Sequence, residues 1–129
     1  MKIEVSNGEI LDKLSILELK MRFIKNQSQK DNIIKEYKFL KTVSMDILDK
    51  DDDIFPFDLY EALSNINLRL WNIEDSIRLK EKNKEFDDEF VDLARAVYYT
   101  NDERSKIKKE INLQTGSEFL EEKSYKDYC

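Results

Sequence analysis

A chain of 129 residues with 39% charged and 40% hydrophobic side chains, two glycines and one proline suits one domain of amphipathic helices, 1–129. It has too few turn residues for a sandwich or barrel. Its net charge of −6 argues against binding a nucleic-acid polymer, which depends on neutralising phosphates. With no histidine and a single cysteine, Cys129, the chain cannot build Ser–His or Cys–His nucleophiles, His-ligated zinc or an internal disulfide.

Met1–Val5 alternates and reads as a short extended lead-in. Ser6 and Glu9 then have the spacing of a capping box, with Val5 and Ile10 as its hydrophobic staple. The first helix is expected from about Asn7 to Asn26, with Ile10, Leu14, Leu17, Met21 and Ile24 as its seam. A second stripe of Ile16, Leu19 and Phe23 implies contact with more than one neighbour. After a polar break at Gln27–Gln29, a second helix is expected from about Lys30 to Leu48.

Asp49–Phe57 is the longest connection, and Pro56 excludes a helix through it. Asp49, Asp51 and Asp53 hint at a calcium loop, but its required glycine would be Ile54 and its closing acid Tyr60, so an acidic connector is the better reading. Asp58 with Glu61 opens a third helix ending near Asn83. It carries the longest seam of the chain, Leu59, Leu63, Ile66, Leu70, Ile73 and Ile77, flanked by Trp71, Glu74, Asp75 and Arg78. Phe86 and Asp87 read as a staple and cap, with Phe86 set to pack on Val91. A fourth helix follows from about Asp88 to Gln114, with Gly116 as a left-handed stop. Phe119, Leu120, Tyr125 and Tyr128 give the tail enough apolar surface to fold back on the bundle. The expected fold is therefore all-α, an antiparallel four-helix bundle with a short extended N-terminus and a packed C-terminal tail.

The inward line of the fourth helix, Phe90, Ala94 and Val97, continues as Asn101, Arg104 and Lys108 before Ile111 restores it. Charges on an inward seam must meet carboxylates, water or an anionic ligand. Neutralised by Glu74 and Asp75, they would form a structural polar layer. Joined by Arg78, Lys13 and Lys20, with Trp71 and Tyr98 as flat faces, they would form a cationic pocket between helices. The pairs Glu9–Asp12 and Glu89–Asp92 have helical spacing. On facing helices they could hold magnesium for pyrophosphate hydrolysis, although acidic first turns also complement a helix dipole.

Four blocks, IEVSNGEILDKLSILELK, LWNIEDSIR, FVDLARAVYYTNDERSKIKKEIN and EEKSYKDY, resemble an uncharacterised family of short helical proteins from bacteria and phages. The resemblance covers nearly the whole chain, most loosely at Ser28–Asp58, and it implies a domain of unknown function. Its motif positions here include Glu9, Asp12, Lys13, Glu18, Lys20, Trp71, Glu74, Asp75, Arg78, Arg95, Asn101, Asp102, Arg104, Lys108, Glu122, Lys123 and Tyr125.

The function expected from these features is non-enzymatic binding of a small anionic, nucleotide-like ligand. Lys13, Lys20, Arg78, Arg104 and Lys108 would supply charge, Glu74 and Asn101 directional hydrogen bonds, and Trp71 or Tyr98 a stacking face. No catalytic residue, metal or cofactor is assigned. A phage protein sequestering a host immune nucleotide is the biological version, by analogy of size and pocket chemistry. The alternatives are a helical enzyme, chorismate-mutase-like or magnesium-dependent on a nucleotide, and an interaction module without a small ligand. A homodimer or higher oligomer follows from the several seams of the first and fourth helices. The cytoplasm follows from the single cysteine and from the absence of a signal h-region or an apolar run of about 18 residues.

Overall fold

The computed structural model describes residues 1–48 and 55–117. It contains four helices in an all-α bundle, α1 (Asn7–Phe23), α2 (Gln27–Leu48), α3 (Phe57–Lys82) and α4 (Asp88–Gln114), and no strand among the described residues. The acidic connector from Asp49 and the tail beyond Ser117 lie outside the described residues.

The caps explain where each helix begins and ends. Extended backbone at Ser6 lets its Oγ accept from the Glu9 amide at 3.2 Å, starting α1. The return bond expected of a capping box is replaced, because the Glu9 carboxylate turns to Lys108. Asn26 starts α2 by accepting from the Gln29 amide, so the break sits at residues 24–26 and α2 begins one turn earlier than the sequence suggests. α3 starts behind Pro56 without a side-chain cap, and Asp58 falls in its first turn rather than before it. Asp87 caps α4 through the Phe90 amide, and Phe86 meets Phe90 edge-on.

At the other ends, Gly116 takes the left-handed conformation (φ 65°) and α4 closes with Ser117 N–H donating to Asn112 O. α3 ends in the same way with a lysine: Lys84 has φ 57°, its amide donates to Glu81 O, and Glu85 N–H donates to Lys80 O. Lys80 also binds Glu85, Asp87 and Glu89 across this turn, which ties α3 to α4. The carboxylates, Asp87 and Glu89 foremost, raise the Lys80 ammonium above its ordinary range, and the ammonium in turn lowers Asp87.

α1 is the centre of the bundle. It packs against α2, α3 and α4, whereas among the described helices α2 lies against α1 alone and α3 pairs with α4. That position explains the two apolar stripes of α1, which meet neighbours within the same chain. Leu11 and Leu14 of α1 join Leu63 and Ile111 in the buried core, with Leu40, Leu59 and Ile107 around them. α3 and α4 outrun α1, and no residue from Leu68 to Tyr99 is buried, so their paired ends form a projecting arm.

Candidate functional site

Gly8, Asp12, Ser15 and Leu19 fall at four- and three-residue steps on α1, a stripe that faces α3 and α4. Its first member is a close approach of two backbones. A Cβ on Gly8 would stand 2.5 Å from the Lys108 carbonyl oxygen. The Gly8 amide donates to Asn112 Oδ1 at 2.7 Å, and the Asn7 amide donates to Ser117 Oγ. The start of α1 is thus fastened to the end of α4, and its first amides are already satisfied.

One turn on, Asp12 is 1% exposed and collects the polar residues around it. Arg104 of α4 clasps it with both edges of the guanidinium fork, Nε donating to Oδ1 at 3.0 Å and Nη2 donating to Oδ2. Asn67 of α3 donates to Asp12 Oδ1 at 2.9 Å and to Ser15 Oγ at 2.7 Å. Lys108 pairs with Glu9 at 2.6 Å and stands 3.9 Å from Asp12. No buried side-chain polar atom among the described residues lacks a hydrogen bond, so this layer is a satisfied network. Among the described residues the inward charges of α4 pair with Asp12 and Glu9, not with Glu74 and Asp75.

Above this layer opens a groove of about 380 Å³ between α1, α3 and α4. Ile16 and Leu19 of α1 and Leu70 of α3 make it apolar, and Asn67, Trp71, Glu74, Asp75, Asn101 and Arg104 supply the rest. Phe23 stacks on Trp71 at 5.4 Å between ring centres, which fixes the indole plane. Arg104 Nη1 also reaches Asn101 Oδ1 at 3.4 Å.

Of the residues expected to bind ligand, the groove brings together Trp71, Glu74, Asn101 and Arg104. Lys108 lies below them in the polar layer. Arg78 sits one turn beyond Glu74, 80% exposed and 3.8 Å from that carboxylate. Lys13 points to the other side of α1 and pairs with Glu36 of α2. Lys20, seven residues on and therefore on that same side, does not line the groove. Tyr98 meets Tyr99 at a tilt, 5.0 Å between ring centres, and is 43% exposed, away from the groove lining.

The two carboxylate pairs proposed for magnesium are not brought together. Glu9 is held at Lys108 and Glu89 at Lys80. Along α4 their positions are separated by about 28 Å at 1.5 Å per residue. Among the described residues no group of three or more Asp, Glu, His or Cys is arranged to hold a metal ion.

A second polar contact lies beside the core. Tyr60 and Tyr37 both donate to Glu18 Oε1, at 2.8 and 3.2 Å. Burial first, then the hydrogen bond to this carboxylate, raises the Tyr60 phenol well above its ordinary value. Burial and the Glu18 charge raise Tyr37. In the unfolded chain both phenols ionise near pH 10, so above about pH 10 the unfolded state sheds protons that the folded state keeps. The contribution is full below that pH and is lost as the pH rises past it. The urea midpoint should fall above about pH 10, and Glu18→Gln should make the fall shallower. An identical alkaline profile in both proteins would show that Glu18 does not hold the phenols.

Sequence reasoning missed Asn67, Ser15 and Gly8, and it weighed Asp12 as half of a metal pair and as a motif position of the resemblance, not as the partner of Arg104. A signal was present: three small or polar residues share one helical stripe with Leu19, opposite a helix whose own seam is polar.

In comparisons with known proteins, the model of a family of unknown function, DUF6165, matches residues 1–128. No curated protein and no solved structure matches the chain.

Proposed function

The chain belongs to this family of unknown function, DUF6165, which assigns it no activity, and from the geometry we propose that it is a non-enzymatic binding protein for a small nucleotide-like ligand. The observation that carries this reading is a groove that joins an immobilised tryptophan, an apolar floor, two side-chain amides and the edge of Arg104. Trp71 offers a ring face, while Asn67 and Asn101 offer directional bonds. Arg104, held by Asp12 and 26% exposed, closes the end of the groove. In biological terms this is a cytoplasmic phage protein that sequesters a host immune nucleotide.

A thermal-shift screen against nucleotides, cyclic nucleotides and dicarboxylates tests the reading. Ligand at a hundred times its dissociation constant adds about 2.7 kcal/mol to the stability, and nucleotides should give that shift. A flat screen would favour a module that meets another protein.

Self-association as a homodimer belongs to the same proposal, with its surface moved. The faces of α1 are covered within the chain, whereas Phe86, Val91 and Tyr98 stay exposed on the arm. Sedimentation equilibrium should show a dimer that Val91→Glu dissociates. A monomer at all concentrations would remove this part.

A further inference from the structure

We infer that the groove reads its ligand with carboxylates, and that the ligand is therefore a flat heterocycle presenting a paired N–H donor edge of the guanine type. The inference rests on the reading of the groove as a binding site and names the chemistry recognised there.

The charges in and behind the groove do not balance. Arg104 and the buried Asp12 cancel each other. Glu74 and Asp75 remain, and the cation that pairs with Glu74 is Arg78, 3.8 Å away and 80% exposed. Asp75 has no ion-pair partner among the described residues. A phosphate set beside Trp71 would meet like charge. A ring edge carrying N–H groups would meet acceptors instead, against the apolar floor of Ile16, Leu19 and Leu70.

A carboxylate accepts two parallel N–H bonds at once, which gives geometric selection as well as energy. Guanine places N1–H and its 2-amino group side by side, so one carboxylate can take both. Adenine has one donor group next to an acceptor, and hypoxanthine lacks the 2-amino group. With the ring against Trp71 and its donor edge on Glu74 or Asp75, the phosphate of a nucleotide lies outward, where Arg78 meets it in solvent. A volume of about 380 Å³ is at the low end of small-molecule sites, about 300–1,000 Å³. That size suits one nucleotide.

Trp71 is the only tryptophan, so its emission reports a ring stacked upon it. GMP, IMP and AMP would be titrated separately into the wild type, Glu74→Gln and Asp75→Asn. Both carboxylates are exposed, so the variants should melt as the wild type does. GMP should bind at least tenfold more tightly than IMP or AMP. In the variant whose carboxylate makes the contact, the ratio of GMP to IMP affinity should fall towards one. Equal binding of GMP and IMP, or an unchanged ratio in both variants, would overturn the inference while leaving the binding function in place. No saturable response to any of the three would overturn both.

Discussion

Replacing Arg104 with alanine should lower the unfolding free energy by about 3–5 kcal/mol, a large part of the roughly 5–15 kcal/mol that holds a domain together. The cause is what the change leaves behind. Asp12 is 1% exposed and would keep its charge with Asn67 as its hydrogen-bond donor and Lys108 no nearer than 3.9 Å. A buried ion pair contributes little net stability against an apolar pair of the same shape, but an orphaned buried charge is expensive. Adding Asp12→Asn to Arg104→Ala should therefore recover much of the loss, because the remaining group is then neutral. Urea unfolding of the two single variants and the double variant measures this directly. A loss below about 1 kcal/mol for Arg104→Ala would mean that the fork is available to a ligand and not committed to α1.

Gly8→Ala should cost about 1–3 kcal/mol, although alanine is the better helix former. The new Cβ would lie 2.5 Å from the Lys108 carbonyl oxygen and 3.0 Å from Asn112 Oδ1. The first of these is helix backbone and cannot swing aside. α1 would have to shift away from α4, which stretches the bond from the Gly8 amide to Asn112. Because Lys108 and Asp12 lie within one turn of that contact, the shift also loosens the polar layer. Unchanged stability in Gly8→Ala would show that the two helices separate at no cost.

The helices were legible because their seams recur at four- and three-residue steps and three of the four starts carry polar caps. α4 matches its expected bounds, and Gly116 stops it as its residue type suggests. α2 started early because Asn26 caps it, and a lone asparagine among polar neighbours carries little signal. Lys84 in the left-handed conformation is also invisible in sequence, because the Lys80 bonds and the turn hold it there without glycine.

The site was half legible for a more general reason. Periodicity says that Arg104 and Lys108 face inward, but not which carboxylate they meet. The acids on the helix with the longest apolar seam, Glu74 and Asp75, were natural partners. The true ones, Asp12 and Glu9, sit on α1, whose burial on several sides blurs its polar stripe. The same feature hid α1 as the centre, since a helix wrapped by three neighbours shows no single apolar face. Lys13 and Lys20 share a face with each other, as their spacing requires. Lys13 meets α2 there, and spacing alone does not say which neighbour a face will find.

The most direct test of the groove as a binding site is a titration of nucleoside monophosphates into the wild-type protein, followed by Trp71 emission. A saturable change in emission is expected, weakened when the groove residues Glu74, Asp75 or Asn101 are altered without loss of melting temperature. Emission that does not change up to millimolar nucleotide, beyond the linear loss from absorbed light, would contradict it.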